Sequence, residues 1–326
     1  MEKVLRSLSM TPDMLMGNLK NPYIQAKAFR SALKIKAEEI CAATGIPMER
    51  LRKIECGEEA TLAELRDIAH QLGTGVNSIL GEGVFAPQAA APGDCLLRSC
   101  EEKAIKGSGF WGHVGVLPAN EKEYLWYPIT AHTRSMIYRM QLENRLVIPC
   151  MNNRLLYLNT QNISSIVLLD DACDSPNFAN WDSGVDCGAI PPVIYESLSD
   201  FFLQREEGVD PDEFSPRFWE IMKGFVKSEG WNEENTESVL HAMVVHYANG
   251  QTMETDVDFN GNETLSAEVE TIYDFEEALD EESFLLYSDS NGAEIMLQSR
   301  NIAVLDLPLT QTEDAIIRRR REERAD

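Results

Sequence analysis

An internal repeat, with one copy near the middle of the chain and one near its C-terminus, limits the possible folds more than any other feature. Residues 152–170 (NNRLLYLNTQNISSIVLLD) align without a gap on residues 291–309 (NGAEIMLQSRNIAVLDLPL), with an offset of 139 residues. In both copies an Asn-Asn or Asn-Gly turn precedes apolar residues at alternate positions, which is the period of a β-strand. The apolar runs LVIPCM and FLLYSD lie before the two turns. Each copy therefore predicts a β-hairpin followed by one more strand.

Two amphipathic helices are predicted between the copies, in VIYESLSDFFLQREE and SPRFWEIMKGFVKSEGW. Their aromatic faces fit either a hydrophobic core or a ligand cage, and a core is the more common use of such residues. We assign to a core Phe201, Phe202, Phe218, Trp219 and Phe225.

The strand, turn, strand, short turn, strand unit resembles the small Sm-like and SH3-like barrels, although it carries no diagnostic motif of either. The resemblance implies a duplicated β-rich, small-barrel-like body with a helical insertion. The duplication suggests packing or partner binding as the role of this body.

The excess negative charge of the chain belongs entirely to residues 85–326. Residues 1–84 contain 11 Lys/Arg and 11 Asp/Glu, whereas the rest contains 18 basic and 43 acidic side chains, which accounts for the whole net charge of -25. DNA affinity depends largely on Lys and Arg neutralising phosphates, so broad contact between this part and nucleic acid is excluded. The basic run from Arg318 to Arg324 fits a solvated helix end, with a phosphate-binding tail as the alternative.

Five short amphipathic runs, each bounded by a glycine or a capping residue, occupy residues 23–81. They are YIQAKAFRSALK, KAEEICAATG, MERLRKIECG, TLAELRDIAHQLG and VNSILG. Helical spacing of apolar residues predicts five short helices around a small core. The predicted core contains Ile40, Ile46, Leu51, Ile54, Leu62, Leu65, Ile68, Leu72, Val76 and Ile79.

Residues 24–81 resemble the lambda-repressor-like (Cro/CI, or XRE) helix-turn-helix family, over about a fifth of the chain. The segment LAELRDIAHQLGTGVNSIL is similar to the last two helices of that family. Further matching positions are Arg30, Ile35, EEIC at 38–41, Gly45, Ile46, Leu51, Ile54, Glu55 and Gly57. The resemblance implies a five-helix DNA-binding bundle whose third helix enters the major groove.

This resemblance, together with residue chemistry, gives candidate DNA contacts. We expect Arg52 to donate to a guanine, Glu49 to accept from a cytosine amino group, and Met48 to touch a thymine methyl. Lys36, Arg50 and Lys53 are expected to bind phosphates. By resemblance, Arg30 and Glu55 form a structural ion pair.

Two positions depart from the pattern of the family. Ala37 stands where the family often has a DNA-contacting Gln, and Pro47 stands where the N-cap of the third helix is often Ser or Thr. A bundle used only for dimerisation would tolerate both changes.

Composition predicts five segments along the chain. We assign residues 1–83 to the helix-turn-helix domain and the Ala/Pro-rich residues 84–94 to a linker. Residues 95–190 form the first β-rich unit, residues 191–232 the helical connection, and residues 233–326 the second β-rich unit with its basic tail.

No catalytic motif is recognisable, so we expect no enzymatic activity and no cofactor. Seven scattered cysteines without a secretion signal predict free thiols. The loop from Asp256 to Glu268 begins like a calcium-binding EF-hand, but Ala267 occupies the position that needs a bidentate Glu. We interpret it as a polar loop, and leave a divalent-ion site as the alternative.

These patterns favour a sequence-specific transcriptional regulator that binds double-stranded operator DNA as a homodimer. The acidic body would then serve oligomerisation, or act as an effector module that binds a protein partner. The alternative is an acidic interaction protein, or nucleic-acid mimic, whose helical head binds a protein. With no signal peptide or apolar spanning run, we expect a cytoplasmic location and no membrane contact.

Overall fold

The computed structural model describes residues 24–32, 35–83, 110–139, 145–170, 190–256, 284–288 and 294–325. Their folding class is mixed α and β, with helices at the N-terminus followed by antiparallel sheets. The chain divides into two compact units. Unit 1 comprises residues 1–110, 130–132 and 189–236, and unit 2 comprises residues 111–129, 133–188 and 237–326.

The described part of unit 1 begins with five helices, and each of the five helical runs predicted from sequence is confirmed. They are α1 (Ile24–Ala32), α2 (Ala37–Thr44), α3 (Met48–Glu55), α4 (Leu62–Leu72) and α5 (Val76–Ile79). Helix α4 begins with a capping box, in which Thr61 accepts from the backbone N–H of Glu64 and the Glu64 side chain accepts from the N–H of Thr61. It ends at Gly73, whose φ of +64° suits glycine.

The core of these helices matches the predicted one at eight of its ten positions. Leu51, Ile54 and Leu72 are fully buried, whereas Leu62 and Val76 are only half-buried. On α1, Ala26 and Phe29 are buried and Ala28 is exposed, because Ala28 lies on the side of the helix that faces away from the neighbouring helices.

Unit 1 also contains the helices that follow residue 190. They are α7 (Pro192–Glu196), α8 (Leu198–Glu207), α9 (Pro216–Ser228) and the first part of α10 (Glu233–His241), while α6 (Ala131–Arg139) precedes them in the chain. The core prediction is confirmed for Phe201, Phe202 and Phe218, which are at most 7% exposed. Trp219 and Phe225 are half-buried. The sequence pattern predicts these helices as a connection between the β-rich units. It does not indicate that they pack on α4.

Unit 2 contains the β-strands, and the hairpin-plus-strand order predicted for both copies is confirmed. The strands are β1 (Phe110–Pro118), β2 (Leu125–Thr130), β3 (Arg145–Pro149), β4 (Arg154–Asn159), β5 (Ile163–Asp170), β6 (Ala242–Tyr247), β7 (Thr252–Asp256), β8 (Phe284–Ser288), β9 (Glu294–Gln298) and β10 (Ile302–Pro308). A 3₁₀ turn separates β4 from β5 (Thr160–Asn162) and β9 from β10 (Ser299–Asn301).

The described strands form three antiparallel sheets. Their orders are β2-β1-β5, β3-β4-β10-β6-β7 and β8-β9. The central strand β10 belongs to the second copy of the repeat and pairs with β4 of the first, with Leu305 opposite Tyr157. All seven residues of β10 are buried, as expected for a strand with a neighbour on both edges.

The structural repeat extends beyond the segment found by sequence comparison. The hairpin β1–β2 corresponds to β6–β7, because Gly115 lies opposite Val167 of β5 and Val244 lies opposite Asp306 of β10. Equivalent backbone hydrogen bonds support this correspondence. The N–H of Ala119 donates to the carbonyl of Asn162 (2.8 Å), and the N–H of Ala248 donates to that of Asn301 (2.7 Å).

A buried polar cluster joins four strands of unit 2. Asp306 on β10 accepts from Nε of Arg154 (2.5 Å) and from the hydroxyl of Tyr127 (2.9 Å). Arg154 also donates to the carbonyl of Ala242 (2.9 Å). Burial raises the pKa of Asp306, and the Arg154 guanidinium opposes that change. The cluster therefore links both copies of the repeat through one nearly inaccessible ion pair.

The C-terminal basic run from Arg318 to Arg324 is helical, because it lies within α11 (Leu309–Ala325). Other sequence predictions fall where the structure gives no description: the linker at 84–94, and the candidate calcium loop beyond Asp256. Among the described helices, none is long and apolar enough to cross a membrane.

Candidate nucleic-acid interface

A short turn sets the geometry between α2 and α3. Gly45 ends α2 with φ of +79°, and its N–H donates to the carbonyl of Cys41 (2.9 Å). The Thr44 hydroxyl accepts from the N–H of Ile46 (3.2 Å), which places the Ile46 side chain in the core. Pro47 then starts α3 in an extended conformation, and its carbonyl accepts from the N–H of Leu51. Pro47 provides no side-chain cap, so the turn depends on these backbone bonds and on the Thr44 hydroxyl.

Helix α3 has one buried side and one exposed side. Leu51 and Ile54 are 0% exposed. Arg52, Lys53 and Glu49 are exposed, and Met48 is half-buried at the first position of the helix. The exposed side therefore carries three of the side chains assigned to DNA recognition or phosphate binding.

An ion pair between Arg30 and Glu55 joins α1 to the end of α3. Nε of Arg30 lies 2.5 Å from Oε1 of Glu55, and Nη2 lies 3.0 Å from Oε2. Nη1 of Arg30 also donates to the carbonyl of Ile35 (3.2 Å), just before α2. The hydrogen bond to Glu55 raises the pKa of Arg30, against the opposing effect of burial. One guanidinium thus fixes three consecutive helices relative to each other.

The side chain of Arg50 is directed to carboxylates, although it was assigned to phosphate binding. Its Nε and Nη2 lie 2.7 Å from the two oxygens of Glu64, and Nη1 lies 3.0 Å from Glu58. Nη2 also donates to the carbonyl of Glu59 (2.8 Å). This bidentate arrangement ties α3 to the N-terminus of α4, so it gives Arg50 a role in holding the two helices together.

The remaining candidate cations differ in how firmly they are held. Lys53 lies 3.7 Å from Glu49, one helical turn away, and both side chains are at least 50% exposed, so the pair is weak. Lys36 is exposed next to the half-buried Ala37. Within the described part of the chain, the side chains of Arg52 and Lys36 make no hydrogen bond or ion pair. Arg52 is therefore available to an external acceptor.

Acidic residues lie beside these cations. Glu38 and Glu39 are exposed in the first turn of α2, and Glu49 is exposed in the first turn of α3. Together they balance Lys36, Arg52 and Lys53. A neutral face of this kind has little long-range attraction for a polyanion, so any binding of one would depend on a few directed contacts.

Helices α7 to α9 cover a second side of α4, the side that carries Arg66, Asp67 and His70. The sequence did not predict this contact. Arg66 is buried, forms an ion pair with Asp200 and donates to the carbonyl of Glu213 (3.1 Å). Its guanidinium lies 4.3 Å from the centroid of the Phe214 ring. The only sequence signal was a pair of adjacent charged residues, Arg66 and Asp67, inside an apolar run.

His70 continues the same contact surface on α4. Its ring meets Phe218 and Phe225 of α9 edge-on, at centroid distances of 6.2 and 6.5 Å. Burial lowers the pKa of His70 to about 4, with a smaller contribution from the positive charge of Arg217. At neutral pH the imidazole is uncharged and acts as a packing residue.

Helix α5 is held by a carboxylate from α7. Glu196 accepts from the N–H of Val76 (2.7 Å), at the N-terminus of α5. Because Gly75 is the preceding residue, an added Cβ there would lie only 2.8 Å from Cδ of Glu196. Glycine at this position therefore permits the capping contact.

Metal-binding chemistry has no support in the described ranges. No group of three or more His, Cys, Asp or Glu side chains among them is arranged to hold a metal ion. The described cysteines, Cys41, Cys56 and Cys150, are free thiols.

Comparison of the chain with models of known families, with curated proteins and with solved structures gave no match.

Proposed function

We propose that residues 24–83 form a helix-turn-helix domain of the lambda-repressor-like type that binds double-stranded DNA in a sequence-specific manner. The main supporting observation is the exposed Arg52, which is free of partners in the described part of the chain and lies on the outward side of α3. A guanidinium offers two parallel donors, and this arrangement matches O6 and N7 of guanine in the major groove.

Three further features support the proposal. The turn at Gly45 to Pro47 separates two short helices, and the Arg30–Glu55 ion pair holds them in place. Met48 and Glu49 occupy the first turn of α3, where helix-turn-helix proteins contact base edges. Lys36, just before α2, and Lys53, in the last turn of α3, are the candidate phosphate ligands.

We further propose that the C-terminal body is a pair of small-barrel-like units that serves oligomerisation, so that two heads act on one operator. A single short helix contacts too few base pairs for high selectivity, and a two-fold dimer doubles the site. The acidic body reduces nonspecific retention on DNA because it repels phosphates. Together these properties suit a transcriptional regulator.

The test begins with selection of bound sequences from a random duplex pool by the full chain. Binding of the selected duplex is then measured for the wild type and for Arg52→Ala, against a duplex of shuffled sequence. Lys227→Ala is the matched control, because it removes the same charge from an exposed position on α9. We expect Arg52→Ala to lose most of the preference for the selected duplex and Lys227→Ala to keep it.

The neutral face of α2 and α3 favours one alternative, in which the head binds a protein rather than DNA. Glu38, Glu39 and Glu49 would then take part in the contact. Failure to enrich any sequence, together with absence of a discrete complex at low salt, would support this alternative and reject DNA reading.

A further inference from the structure

Helix α6 places an arginine and a tyrosine side by side at the edge of the core of unit 2. Thr133 and Ile137 are buried, so their side of the helix faces the core. Arg134 and Tyr138 each follow one of these residues by one position and are four residues apart, so they share the neighbouring stripe of the helix. Arg134 is half-buried and Tyr138 is 51% exposed. This stripe therefore lies at the boundary between the core and the solvent.

Two aromatic rings hold the guanidinium of Arg134. Its Cζ lies over the Trp111 ring, 5.1 Å from the centroid, and over the Tyr138 ring, 5.0 Å from the centroid. Trp111 on β1 is 2% exposed, so one ring belongs to the core and the other to the surface. An aromatic ring attracts a cation but does not carry the opposite charge. The two contacts therefore fix the position of the guanidinium without neutralising it.

The guanidinium of Arg134 meets no acceptor within the described ranges. Its Nε is buried and has no hydrogen-bond partner there, and its two Nη atoms make no hydrogen bond or ion pair to a described residue. Nε is the one inaccessible nitrogen of this side chain, so both Nη atoms keep contact with solvent. A guanidinium that is partly removed from water normally has an acceptor, because burial of an unpaired charge is costly.

Helix α6 has no carboxylate of its own to supply that acceptor. Residues 131–139 contain two arginines, one histidine and no Asp or Glu, in a chain whose net charge is -25. The residues three and four positions from Arg134 are Thr, Ala, Ile and Tyr, so a local ion pair along the helix is excluded. These observations fit a cation that is positioned by aromatic contacts and receives its acceptor from a ligand.

We propose that Arg134 binds the carboxylate of a small organic acid, end-on through Nη1 and Nη2. A carboxylate is planar and matches the parallel N–H donors of a guanidinium. One guanidinium neutralises one charge, and the net negative charge of the chain opposes a phosphate dianion more strongly than a monoanion. The exposed ring of Tyr138 offers an apolar surface beside the carboxylate, which favours an acid that carries an aromatic group. This site does not depend on DNA reading by the head.

The test measures binding of benzoate to the full chain by NMR at constant ionic strength. The shift of the Nε–H resonance of Arg134 reports binding at this site, and the loss of that resonance in Arg134→Met identifies it. We expect a saturable shift with benzoate. The affinity for acetate should be about twofold to tenfold lower, because acetate does not reach the Tyr138 ring. Inorganic phosphate should bind more weakly than benzoate.

Variants are compared by the saturation-transfer signals of benzoate and acetate, which do not require an arginine resonance. Arg134→Met should weaken binding by about tenfold or more, and so should Arg134→Lys, which keeps the charge but not the two parallel donors. Tyr138→Ala should weaken benzoate binding by about twofold to tenfold and leave acetate binding unchanged. Arg205→Met is the matched control, since it removes the same charge from an exposed position on α8, and should bind like the wild type.

Three results would each overturn the proposal. An Arg134 resonance that does not respond to benzoate, or responds equally to chloride, would show that the guanidinium has its acceptor within the chain or is only screened by salt. Unchanged binding by Arg134→Lys would show attraction by charge without directed recognition. Tighter binding of phosphate than of benzoate would assign the site to phosphate groups. If Arg134→Met is unstable, the comparison of benzoate with acetate in Tyr138→Ala still decides, because Tyr138 is exposed.

Discussion

Asp67 on α4 accepts a hydrogen bond of 2.8 Å from Arg217 on α9, a residue 150 positions further along the chain. The Asp67 carboxylate is 4% exposed, and burial raises its pKa although Ser215 and Arg217 donate to it. This contact makes the helices after residue 190 part of the support for α4. It also means that the first 84 residues by themselves lack part of their packing.

Arg217→Met should lower the free energy of unfolding at neutral pH by about 1–3 kcal/mol, because it leaves a buried carboxylate with one partner fewer. The pKa of Asp67 is already raised in the folded state. A carboxyl group of this kind contributes stability at pH values below its unfolded pKa, and this contribution is lost as the pH rises through its folded pKa. The loss in the variant should therefore be larger at neutral than at acidic pH. Denaturant titrations at both pH values measure it, with the exposed Lys223→Met on the same helix as the control.

The half-buried His70 should cause a loss of stability in acid. Its folded pKa of about 4 lies below the unfolded value of 6.5, so its contribution is fully present above pH 6.5 and is lost as pH falls towards 4. At about 1.4 kcal/mol per pKa unit, the loss reaches about 3 kcal/mol. His70→Gln removes this titration, and the difference between its stability curve and that of the wild type should be steepest between these two pH values. Parallel curves would contradict the assignment.

Gly75→Ala should weaken the capping of α5. The new methyl group would displace the Glu196 carboxylate from the N–H of Val76, at a cost of about 1 kcal/mol. In a Glu196→Ala background the same substitution should cost much less, because the group that it displaces is gone. A double-mutant cycle by thermal unfolding measures this coupling, and additive effects would show that the two residues act independently.

Arg154→Met should be among the most destabilising substitutions in unit 2. It leaves the carboxylate of Asp306 buried without its counter-ion, at a cost of about 3–5 kcal/mol. Tyr127→Phe removes a single hydrogen bond to the same carboxylate and should cost about 1 kcal/mol. Denaturant unfolding of the two variants, compared with the wild type, checks this order of effects.

Arg50 and Arg52 should behave differently, although they are two positions apart on α3. Arg50→Ala should lower stability by about 1 kcal/mol, because it removes a bidentate ion pair with Glu64, in which both side chains are about one quarter exposed, and a weaker pair with the half-exposed Glu58. Arg52→Ala should leave stability within about 0.5 kcal/mol of the wild type, and should instead reduce discrimination between duplexes by about 1–3 kcal/mol. Unfolding and duplex-binding measurements on both variants separate the two roles.

Local patterns predicted most of the secondary structure. Glycines and capping residues such as Gly45, Thr61 and Gly73 act within one turn of the helix that they end or begin, so the five N-terminal helices were visible in the sequence. The alternating apolar positions around residues 152–170 and 291–309 predicted the strands for the same reason. The exposed side of α3 followed from the burial of Leu51 and Ile54.

The partners of charged side chains could not be read in this way, because a charge in a sequence carries no information about which distant residue it meets. Arg50 was assigned to phosphate, and the structure directs it to Glu64 and Glu58. Arg66 and Asp67 are buried against α8 and α9, and the sequence pattern did not indicate these contacts. The pairing of β4 with β10 likewise joins segments that lie about 150 residues apart. Periodicity along the chain thus specified the elements and their apolar faces, whereas the choice of neighbours depended on packing and on the need to pair every buried charge.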